Sequence, residues 1–474
     1  MPLASSPATD EPAATFYHLH PFGEAARHGG TSPVSLLPEI VPQYNISTPD
    51  GPQNNVGKDG GEWLIGIEGL KPPQVLSLLL QVAPGTADPL LAKPPNHVKW
   101  WYLAGNDWRP FAERDLSDGT HQLLQSGLIR FSVPREADQT HTLLPSGKIW
   151  LRATVESAVD AVNQLIGVHA QGCAVTMVDN QNDPQLGALP LPAGTIAKLL
   201  SPQAAVKKVV QPYATFGGSA QEDDASYYTR SSERLRHKDR AITMWDYERL
   251  LLQAFPQLHK VKCLNHLRYE PGSTSPIYRE LAPGHVTIIS VTDLRQLNGV
   301  DRLRPYTSLA DLTAMAEYLK SRTSCFVNLH VRNPQFEPVK ATFKVRFFDG
   351  LDESFYEEQL NTDMVNFLSP WASATNAAID FDGMIYKSML VNFIEELSYV
   401  DYITDLVLSH TTDNTQQDVE TVRPSTQVSI LVSARQHGIT VIPGVAATEQ
   451  PENCSCSTQV QGSGQVVLLT PPED

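Results

Sequence analysis

Short runs of alternating hydrophobic and polar positions dominate the chain from Glu62 to about Val155. Each run ends at Pro, Gly, Asn or Asp residues, and Gly105-Asn106-Asp107 has the composition of a hairpin turn. Runs of this length are typical of β-strands, and their spacing favours a sandwich. The predicted strands are 63–67, 75–80, 98–103, 128–133 and 149–153, and the pattern continues through 160–215 with a further strand at 173–178.

Two helix-start signals then mark a change of pattern. Ser219-x-x-Glu222 and Thr243-x-x-Asp246 both have the form of a capping box, in which two side chains satisfy backbone donors at a helix N-terminus. The first predicts a polar helix that extends to about residue 237. The second predicts an amphipathic helix that ends before the proline at 256, and its apolar positions are Tyr247, Leu250, Leu251 and Ala254.

Strands and helices alternate after about residue 284. Apolar residues at 339–347 alternate with Lys340, Thr342, Lys344 and Arg346, which predicts a strand with one buried and one cationic face. Ser308 can cap one helix, and the acids at 352 and 353 suit the start of the next. The apolar stripes of three predicted helices are Leu312, Met315, Ala316 and Leu319; Tyr356, Leu360, Met364 and Phe367; and Tyr386, Met389, Leu390, Phe393 and Leu397.

Further strands are predicted towards the C-terminus. One has Val400, Tyr402, Leu406 and Leu408 on a single face, and another has Val428, Ile430 and Val432. Periodicity is then lost, although 465–469 could add an edge strand.

The predicted fold is α+β and multidomain, with a β-sandwich-like N-terminal region followed by small α/β sandwich domains. A length of 474 residues agrees with several domains. We expect an irregular extended arm at 1–60, a β-sandwich-like domain at 61–158, a mixed β region with two helices at 159–284, a small α/β domain at 285–350, a C-terminal α/β domain at 351–445 and a tail at 446–474.

The protein is acidic, with 36 Lys and Arg against 52 Asp and Glu and a net charge of −16. Such a surface repels phosphate backbones and anionic lipids, which argues against nucleic-acid and membrane partners. No apolar run approaches the roughly 20 residues of a membrane helix, and no secretory signal pattern begins the chain. Five cysteines do not suggest a disulfide framework. We therefore expect a soluble protein made in the cytosol.

Short motifs that could carry chemistry each lack part of the required set. His18-Leu19-His20 has no acidic or Cys neighbour, and Cys454-Ser455-Cys456 has no second Cys pair for zinc. Glu222-Asp223-Asp224 and Asp380-Phe381-Asp382-Gly383 lack the spacing of a calcium loop. Gly217-Gly218-Ser219 lacks the Lys of a phosphate loop. We predict no catalytic residue, no metal site and no cofactor.

One basic cluster stands out in the acidic chain, and it consists of Arg234, Arg236, Lys238 and Arg240. The stretch 230–249 holds six Lys and Arg but also four Asp and Glu, so its local charge is only about +2. That excess is too small for a nucleic-acid surface and is typical of a salt-bridged interface or a solvated helix face.

An ordered series of motifs resembles the baseplate-J-like wedge proteins of contractile phage tails and of related extracellular injection particles. It begins with Phe216-Gly217-Gly218 and the acids at 222–224, continues through Arg234-Leu235-Arg236 to Trp245-Asp246-Tyr247-Glu248, and is followed by Phe255-Pro256. Downstream, the segments 333–339, 368–371, 400–403, 429–433 and 437–439 follow the family's order. The segment 100–153 looks like the large wedge members, so the resemblance covers about 62–440.

The resemblance implies a structural role without catalysis. In that family two J-like subunits pair within a wedge, as copies or paralogues, and six wedges surround a central spike, or hub, and an inner tube. Other wedge proteins and the sheath are further implied partners, and baseplate widening is coupled to sheath contraction. The protein would be assembled in the cytoplasm and then form part of a released particle. Large members usually carry further domains ahead of the β region, so we expect a short relative or a part of one.

The interface candidates combine the charged clusters with the aromatic motif of the resemblance. A cationic surface on an acidic protein suits contact with acidic partners. The candidates are Arg234, Arg236, Arg240, Trp245, Tyr247, Lys344 and Arg346.

Two alternatives remain open at this point. A carbohydrate-binding or adhesin protein could stack sugars on tryptophans of the β region, namely Trp63, Trp100, Trp101 and Trp108, although a sandwich core explains these residues equally well. A hydrolase could use Glu395 and Glu396, but adjacent helix positions point about 100° apart and make a poor catalytic pair.

Overall fold

The structure is a computed structural model, and its described residues are 16–20, 23–27, 33–34, 46–48, 51–53, 60–178, 180–183, 186–218, 220–270, 277–293, 301–372, 379–410 and 418–443. The predicted tail at 446–474, its edge strand at 465–469 and Cys454-Ser455-Cys456 lie outside these residues. So does Ser219.

Two short hairpins lie within the first sixty residues. Strand β1 (Phe16–His20) pairs with β2 (Gly23–Arg27), and β3 (Ile46–Thr48) pairs with β4 (Gly51–Gln53). The Pro-rich and Gly-rich composition predicted an irregular extended arm at 1–60. The described residues of that region include these two hairpins, and the arm itself stays a prediction.

The β-sandwich predicted from the alternating runs is confirmed. Its strands are β5 (Gly61–Ile67), β6 (Gln74–Val82), β7 (Lys99–Ala104), β8 (Asp107–Pro110), β9 (Leu116–Asp118), β10 (Gly127–Val133), β11 (Ile149–Val155) and β12 (Leu165–Ala170). They form two four-stranded antiparallel sheets in the orders β12-β6-β10-β9 and β5-β11-β7-β8. Strands β7 and β8 are joined at the predicted hairpin turn, since Ala104 pairs with Asp107.

Alternate side chains of both sheets form a shared core. Leu78 on β6, Phe131 on β10 and Leu151 on β11 are at most 2% exposed. The ring of Trp100 lies edge-on to Phe131 with centroids 5.0 Å apart. Burial of each such side chain contributes about 1.5–3 kcal/mol, so this core holds the two sheets together.

The strand predicted at 173–178 is absent. The described residues between β12 and Asp224 contain neither helix nor strand, and Val175, Met177 and Val178 are 61–76% exposed. The alternating pattern was a valid strand signal, but a strand also needs a neighbouring edge to pair with, and the sequence does not show whether one is available.

Two helices follow this segment. Helix α1 (Asp224–His237) is capped by Asp223, whose side chain accepts a hydrogen bond from the Ser226 amide. The predicted capping box at 219–222 was therefore misplaced, because an acid closer to the helix takes that role. Helix α2 (Met244–Ala254) begins at the predicted box of Thr243 and Asp246, which is present in both directions.

A small sheet packs against α2 and a third helix. The elements are β13 (Leu258–Asn265), β14 (Arg268–Glu270), β15 (Ile277–Arg279), β16 (His285–Thr292), α3 (Leu309–Lys320) and β17 (Asn328–Arg332). Strand β16 pairs antiparallel with β13 and parallel with β17, and α3 forms the connection between the two parallel strands. Leu250, Met315 and Leu319 lie in one core cluster with residues of the sheet, as the helical periodicity predicted.

The remaining elements are β18 (Gln335–Phe347), α4 (Glu353–Leu368), β19 (Ile385–Tyr386), α5 (Lys387–Glu395), β20 (Val400–His410), β21 (Thr421–Val422), β22 (Ser429–Ser433) and β23 (Gly438–Val441). From Val339 onward, β18 pairs antiparallel with β20 and parallel with β23. The alternation predicted for 339–347 is confirmed, because every apolar residue of that run is buried.

The chain divides into two compact units. The first comprises 1–338, 366–384 and 423–433, and the second comprises 339–365, 385–422 and 434–474. Together they form the α+β multidomain fold that the sequence predicted, while the six-segment division stays a prediction.

The predicted apolar faces of α5 and β20, both in the second unit, each include a residue that the structure exposes. Helix α5 buries Leu390 and Ile394, and Met389 is 49% exposed. On β20, Tyr402 is 40% exposed because the pairing with β18 shifts register twice, once beside Asp405 in the left-handed region. An extra residue in a strand reverses which side chains face inward, so a constant two-residue period fails there.

Candidate interface surface

Helix α1 is attached to the protein along one face. His237 is its only buried residue, and Arg230 and Glu233 are half-buried. Arg249 on α2 approaches Glu233 with an N–O distance of 3.6 Å. Because positions 230, 233 and 237 follow helical spacing, they form one stripe, and this stripe faces the body of the protein.

The opposite face of α1 is exposed and carries two large apolar side chains. Tyr228 is 68% exposed and Leu235 is 77% exposed. Ala225 and Ser232 complete the same stripe and are exposed as well. Two large apolar side chains on one exposed helix face make that face a candidate contact surface. We name these four residues the outer stripe. The sequence contains their spacing, but the helix is polar overall and its composition does not predict an apolar face.

Acidic groups are concentrated at the start of α1. Glu222 accepts two hydrogen bonds of 2.9 Å from the guanidinium of Arg230. This pairing favours the charged carboxylate and holds the pKa of Glu222 below its usual range. With Asp223 and Asp224, it places negative charge at the positive end of the helix dipole. These acids therefore stabilise the helix, and among the described residues they belong to no group of His, Cys, Asp and Glu that could hold a metal ion.

The predicted basic candidates lie at the other end of α1. The guanidinium of Arg236 sits 3.9 Å from the ring centroid of Trp245. Arg234 is 4.0 Å from Asp239 at the limit of an ion pair, and Arg240 is exposed. The structure thus brings the three arginines and Trp245 to one end of the helix, where most of their charge faces solvent.

Tyr247 does not belong to that surface. It is only 2% exposed and packs in the core cluster beneath α2. Burial also raises the pKa of its hydroxyl. The sequence placed this residue both on the buried stripe of α2 and among the interface candidates, and the structure places its side chain on the buried stripe.

The remaining two candidates, Lys344 and Arg346, lie on β18 in the second unit. Lys344 pairs with Asp405 at 2.9 Å, and Arg346 pairs with Asp349 at 3.1 Å and with Asp401 at 3.6 Å. The strand face is therefore charge-balanced rather than cationic. Strand periodicity could not predict these three partners, because Asp401 and Asp405 lie on β20 and Asp349 lies in the turn after β18.

The tryptophans Trp100, Trp101 and Trp108 pack against other residues of the sandwich. Trp100 is a core residue. The guanidinium of Arg152 lies 5.2 Å from the Trp101 ring and 4.7 Å from the Trp108 ring. These rings are occupied by a cation of the protein itself, so their arrangement does not favour the sugar-stacking alternative.

Asp380 and Asp382 flank a shallow groove of about 410 Å³. Lys260 lies 3.5 Å from Asp380, and Lys262 lies 3.0 Å from Asp382. The ring of Phe381 is buried beside both lysines. These ion pairs join segments about 120 residues apart and place a lysine beside each acid of the groove.

The two glutamates considered for hydrolysis lie on the protein surface. Glu395 and Glu396 are exposed at the end of α5, and Glu396 accepts a hydrogen bond from Asn392. Among the described residues, no group of three or more His, Cys, Asp and Glu could hold a metal ion. In the same part of the chain, no helix is long and apolar enough to cross a membrane.

Known proteins similar to this chain are found among the solved structures and among the protein families. No curated protein matches the chain. One of the solved structures that match is a cryo-electron microscopy structure of the baseplate of the anti-feeding prophage, with six-fold symmetry applied. It is 19% identical, with a TM-score of 0.35, and the match covers 76% of each chain.

The family model of PVC11-like baseplate proteins matches residues 46–435, which is most of the chain. This match confirms that the ordered motifs identify a structural baseplate component of a contractile injection system, whereas the J-like wedge type stays a prediction. The chain belongs to the PVC11-like family of baseplate proteins.

Proposed function

We propose that this protein is a wedge subunit of the baseplate, which links neighbouring subunits around a central spike and couples baseplate rearrangement to sheath contraction. The exposed outer stripe of α1 carries this proposal, because it offers a contact surface that none of the described residues covers. Family membership in a baseplate class supports the same role.

Two further observations support contact through this end of the molecule. Arg234, Arg236 and Arg240 present cationic groups on a protein with a net charge of −16, which suits acidic neighbours. Ile242, in the connection from α1 to α2, and Met244, the first residue of α2, are also exposed. Burial of both the apolar and the charged groups would give one continuous interface with a central apolar patch and a polar rim.

The test is assembly of particles that contain variants of this chain. We expect Tyr228→Ser with Leu235→Ser to remove the protein from sedimented particles, because the apolar centre of the interface is lost. A matched control is Val75→Ser with Leu281→Ser, which removes two other side chains that are 62% and 94% exposed. Electron microscopy and mass spectrometry of the fast-sedimenting fraction measure incorporation.

Charge reversal provides a second arm of the test. Arg236→Glu with Arg240→Glu should also reduce assembly if the basic end of α1 meets acidic partners. Particles that form normally with both the apolar and the charge-reversed variants would overturn the proposal. Circular dichroism of each variant confirms that α1 and the rest of the fold are retained.

A further inference from the structure

A long segment without regular secondary structure connects the β-sandwich to α1. Its described residues are 173–178, 180–183 and 186–218, which contain neither helix nor strand, and we name them the connecting segment. Ten large apolar side chains of this segment are exposed. The three most exposed are Leu189, Leu200 and Phe216, at 77%, 102% and 81%. Burial of apolar surface is the main favourable term in protein association, so this segment is a candidate contact surface.

The second half of the connecting segment is a loop closed by its own hydrogen bonds. The Thr215 amide donates to the Leu191 carbonyl at 3.0 Å, and the Leu191 amide donates to the Thr215 hydroxyl at 2.7 Å. The amides of Gly194 and Ile196 donate to the backbone and side-chain carbonyls of Gln211 at 3.0 Å and 2.9 Å. Residues beyond these bonds, from 197 to 210, therefore form the outer part of the loop.

The charge of this loop is opposite to that of the protein. The stretch 184–221 contains Lys198, Lys207 and Lys208 but no Asp or Glu, although the whole chain has 52 acids among 474 residues. All three lysines are exposed, and none of them forms an ion pair with a described residue. Their charge is therefore available to a partner, which distinguishes them from lysines such as Lys344 that pair within the chain.

Apolar residues lie beside these lysines. Lys198 directly precedes Leu199 and Leu200, and the other two lysines lie between Val206 and Val210. All four of these apolar side chains are exposed by 42% or more. A complementary surface would have an apolar centre and carboxylates at its rim, which is the usual arrangement of a protein–protein interface.

We infer that the connecting segment docks onto an acidic and partly apolar surface of a different protein chain in the baseplate. This inference rests on the proposed function, to which it adds a second contact surface and the charge of its partner. The ten apolar side chains present roughly 400–800 Å² at their observed exposures. That area approaches the approximately 800 Å² which each partner buries in an interface of standard size.

A lipid partner fits the segment less well. Backbone without regular secondary structure leaves amide and carbonyl groups unpaired, and such backbone does not enter the hydrocarbon region of a bilayer. The segment therefore could not bury its apolar side chains in a membrane as an amphipathic helix does. The net charge of −16 also repels anionic lipid.

A second copy of this chain also fits less well. Contact between the same segments of two copies would place lysines against lysines. The groove of this chain that combines carboxylates with an aromatic ring, at Asp380, Phe381 and Asp382, already holds Lys260 and Lys262. Its acids are therefore paired before any partner arrives, and an acidic surface on another protein is favoured.

The partner is identified by carbodiimide coupling in assembled particles. This reagent joins a lysine amine to a carboxylate with which it is in direct contact. Peptide mapping by mass spectrometry should find Lys198, Lys207 or Lys208 joined to Asp or Glu of a different baseplate protein. Coupling of these lysines only to acids of this chain, in the same or another copy, or no coupling at all, would overturn the inference.

Charge reversal measures how much the contact contributes to assembly. Lys198→Glu, Lys207→Glu and Lys208→Glu in one chain should lower its incorporation into sedimented particles at least several-fold. The matched control reverses three exposed cations of the sandwich, Lys71→Glu, Arg109→Glu and Arg135→Glu, and should be incorporated normally. Equal incorporation of the two variants would contradict the inference. Circular dichroism verifies that both variants keep the fold.

Apolar contact has its own variant. Leu199→Ser with Leu200→Ser should also lower incorporation, while Leu90→Ser with Leu281→Ser, at two exposed positions outside the segment, should not. Cosedimentation of the purified full chain with phosphatidylglycerol vesicles, if abolished by the lysine variant, would assign the segment to lipid and overturn the inference.

The variants of α1 separate this inference from the proposed function. If Tyr228→Ser with Leu235→Ser is excluded from particles while the lysine variant is incorporated, the proposed function stands and the docking of the connecting segment is wrong. If the lysine variant alone is excluded and its lysines couple to another baseplate protein, the inference stands and the outer stripe loses its role.

Discussion

Single residues show where the sequence was informative and where it was not. The sequence singled out Arg234, Arg236 and Trp245 as interface candidates, and the structure places the Arg236 guanidinium over the Trp245 ring because α1 leads directly into α2. The sequence could not show that Arg346 is paired with Asp401, whose position depends on strand pairing about 55 residues away. It also could not decide between the two roles of Tyr247, since an aromatic motif and a buried stripe share that position.

His437 gives a pH-dependent prediction at this scale. Its Nδ1 accepts a hydrogen bond of 3.2 Å from the Ala341 amide, and the residue is 9% exposed. Burial, with a smaller contribution from Lys340, lowers its pKa from 6.5 to about 4. Between these values the unfolded chain binds the proton and the folded chain does not, so stability falls as the pH falls from 6.5 towards 4.

The expected loss from this one group approaches about 3 kcal/mol over that interval. Thermal unfolding measured from pH 7 to pH 4 should show a shallower loss in a His437→Gln chain than in the wild type. The matched control is His266→Asn, at an exposed position, which should leave the slope unchanged. Equal slopes in wild type and His437→Gln would contradict the account of this site.

At the scale of elements, local rules succeeded where local interactions decide the structure. The capping box of Thr243 and Asp246 lies within one turn, and the alternation along β18 follows from burial of one face. The misplaced start of α1 and the missing strand at 173–178 had different causes. The start of α1 was misplaced because several neighbouring acids and hydroxyls could cap the helix. The strand at 173–178 did not form because it needed a sheet edge elsewhere in the chain to pair with.

The cap of α2 can be measured directly. Thr243→Ala removes the side-chain acceptor for the Asp246 amide, and loss of such a cap costs about 1 kcal/mol of stability. We expect a lower denaturant midpoint for the transition that contains α2. Thr362→Ala, in the middle of α4 on an exposed position, is the control and should be neutral or slightly stabilising because Ala is the better helix former. A Thr243→Ala chain as stable as the wild type would show that the box does not hold the helix start.

The whole molecule was recognised from order rather than from any single motif. No short pattern in the chain was specific, yet the series from residue 216 to residue 439 identified a baseplate class that the family match confirms. The β-sandwich and the α/β layers followed from periodicity. The candidate surface was only half predictable, since its charges were visible in the sequence while the exposure of Tyr228 and Leu235 required the packing of α1.

Acidity of the whole chain has a consequence for assembly. With a net charge of −16, copies repel one another at a distance unless local contacts such as the ends of α1 compensate. Salt screens both effects, with a Debye length of about 8 Å at physiological ionic strength. The contacts that join subunits must therefore be close and complementary.

The central claim, that the chain is a structural part of a baseplate, is tested most directly by mass spectrometry of particles sedimented from the native source. The account predicts that this chain travels in the fast fraction at a fixed ratio to sheath-like and spike-like proteins. Complete particles that sediment without it, while the chain remains in the light fraction, would contradict the account.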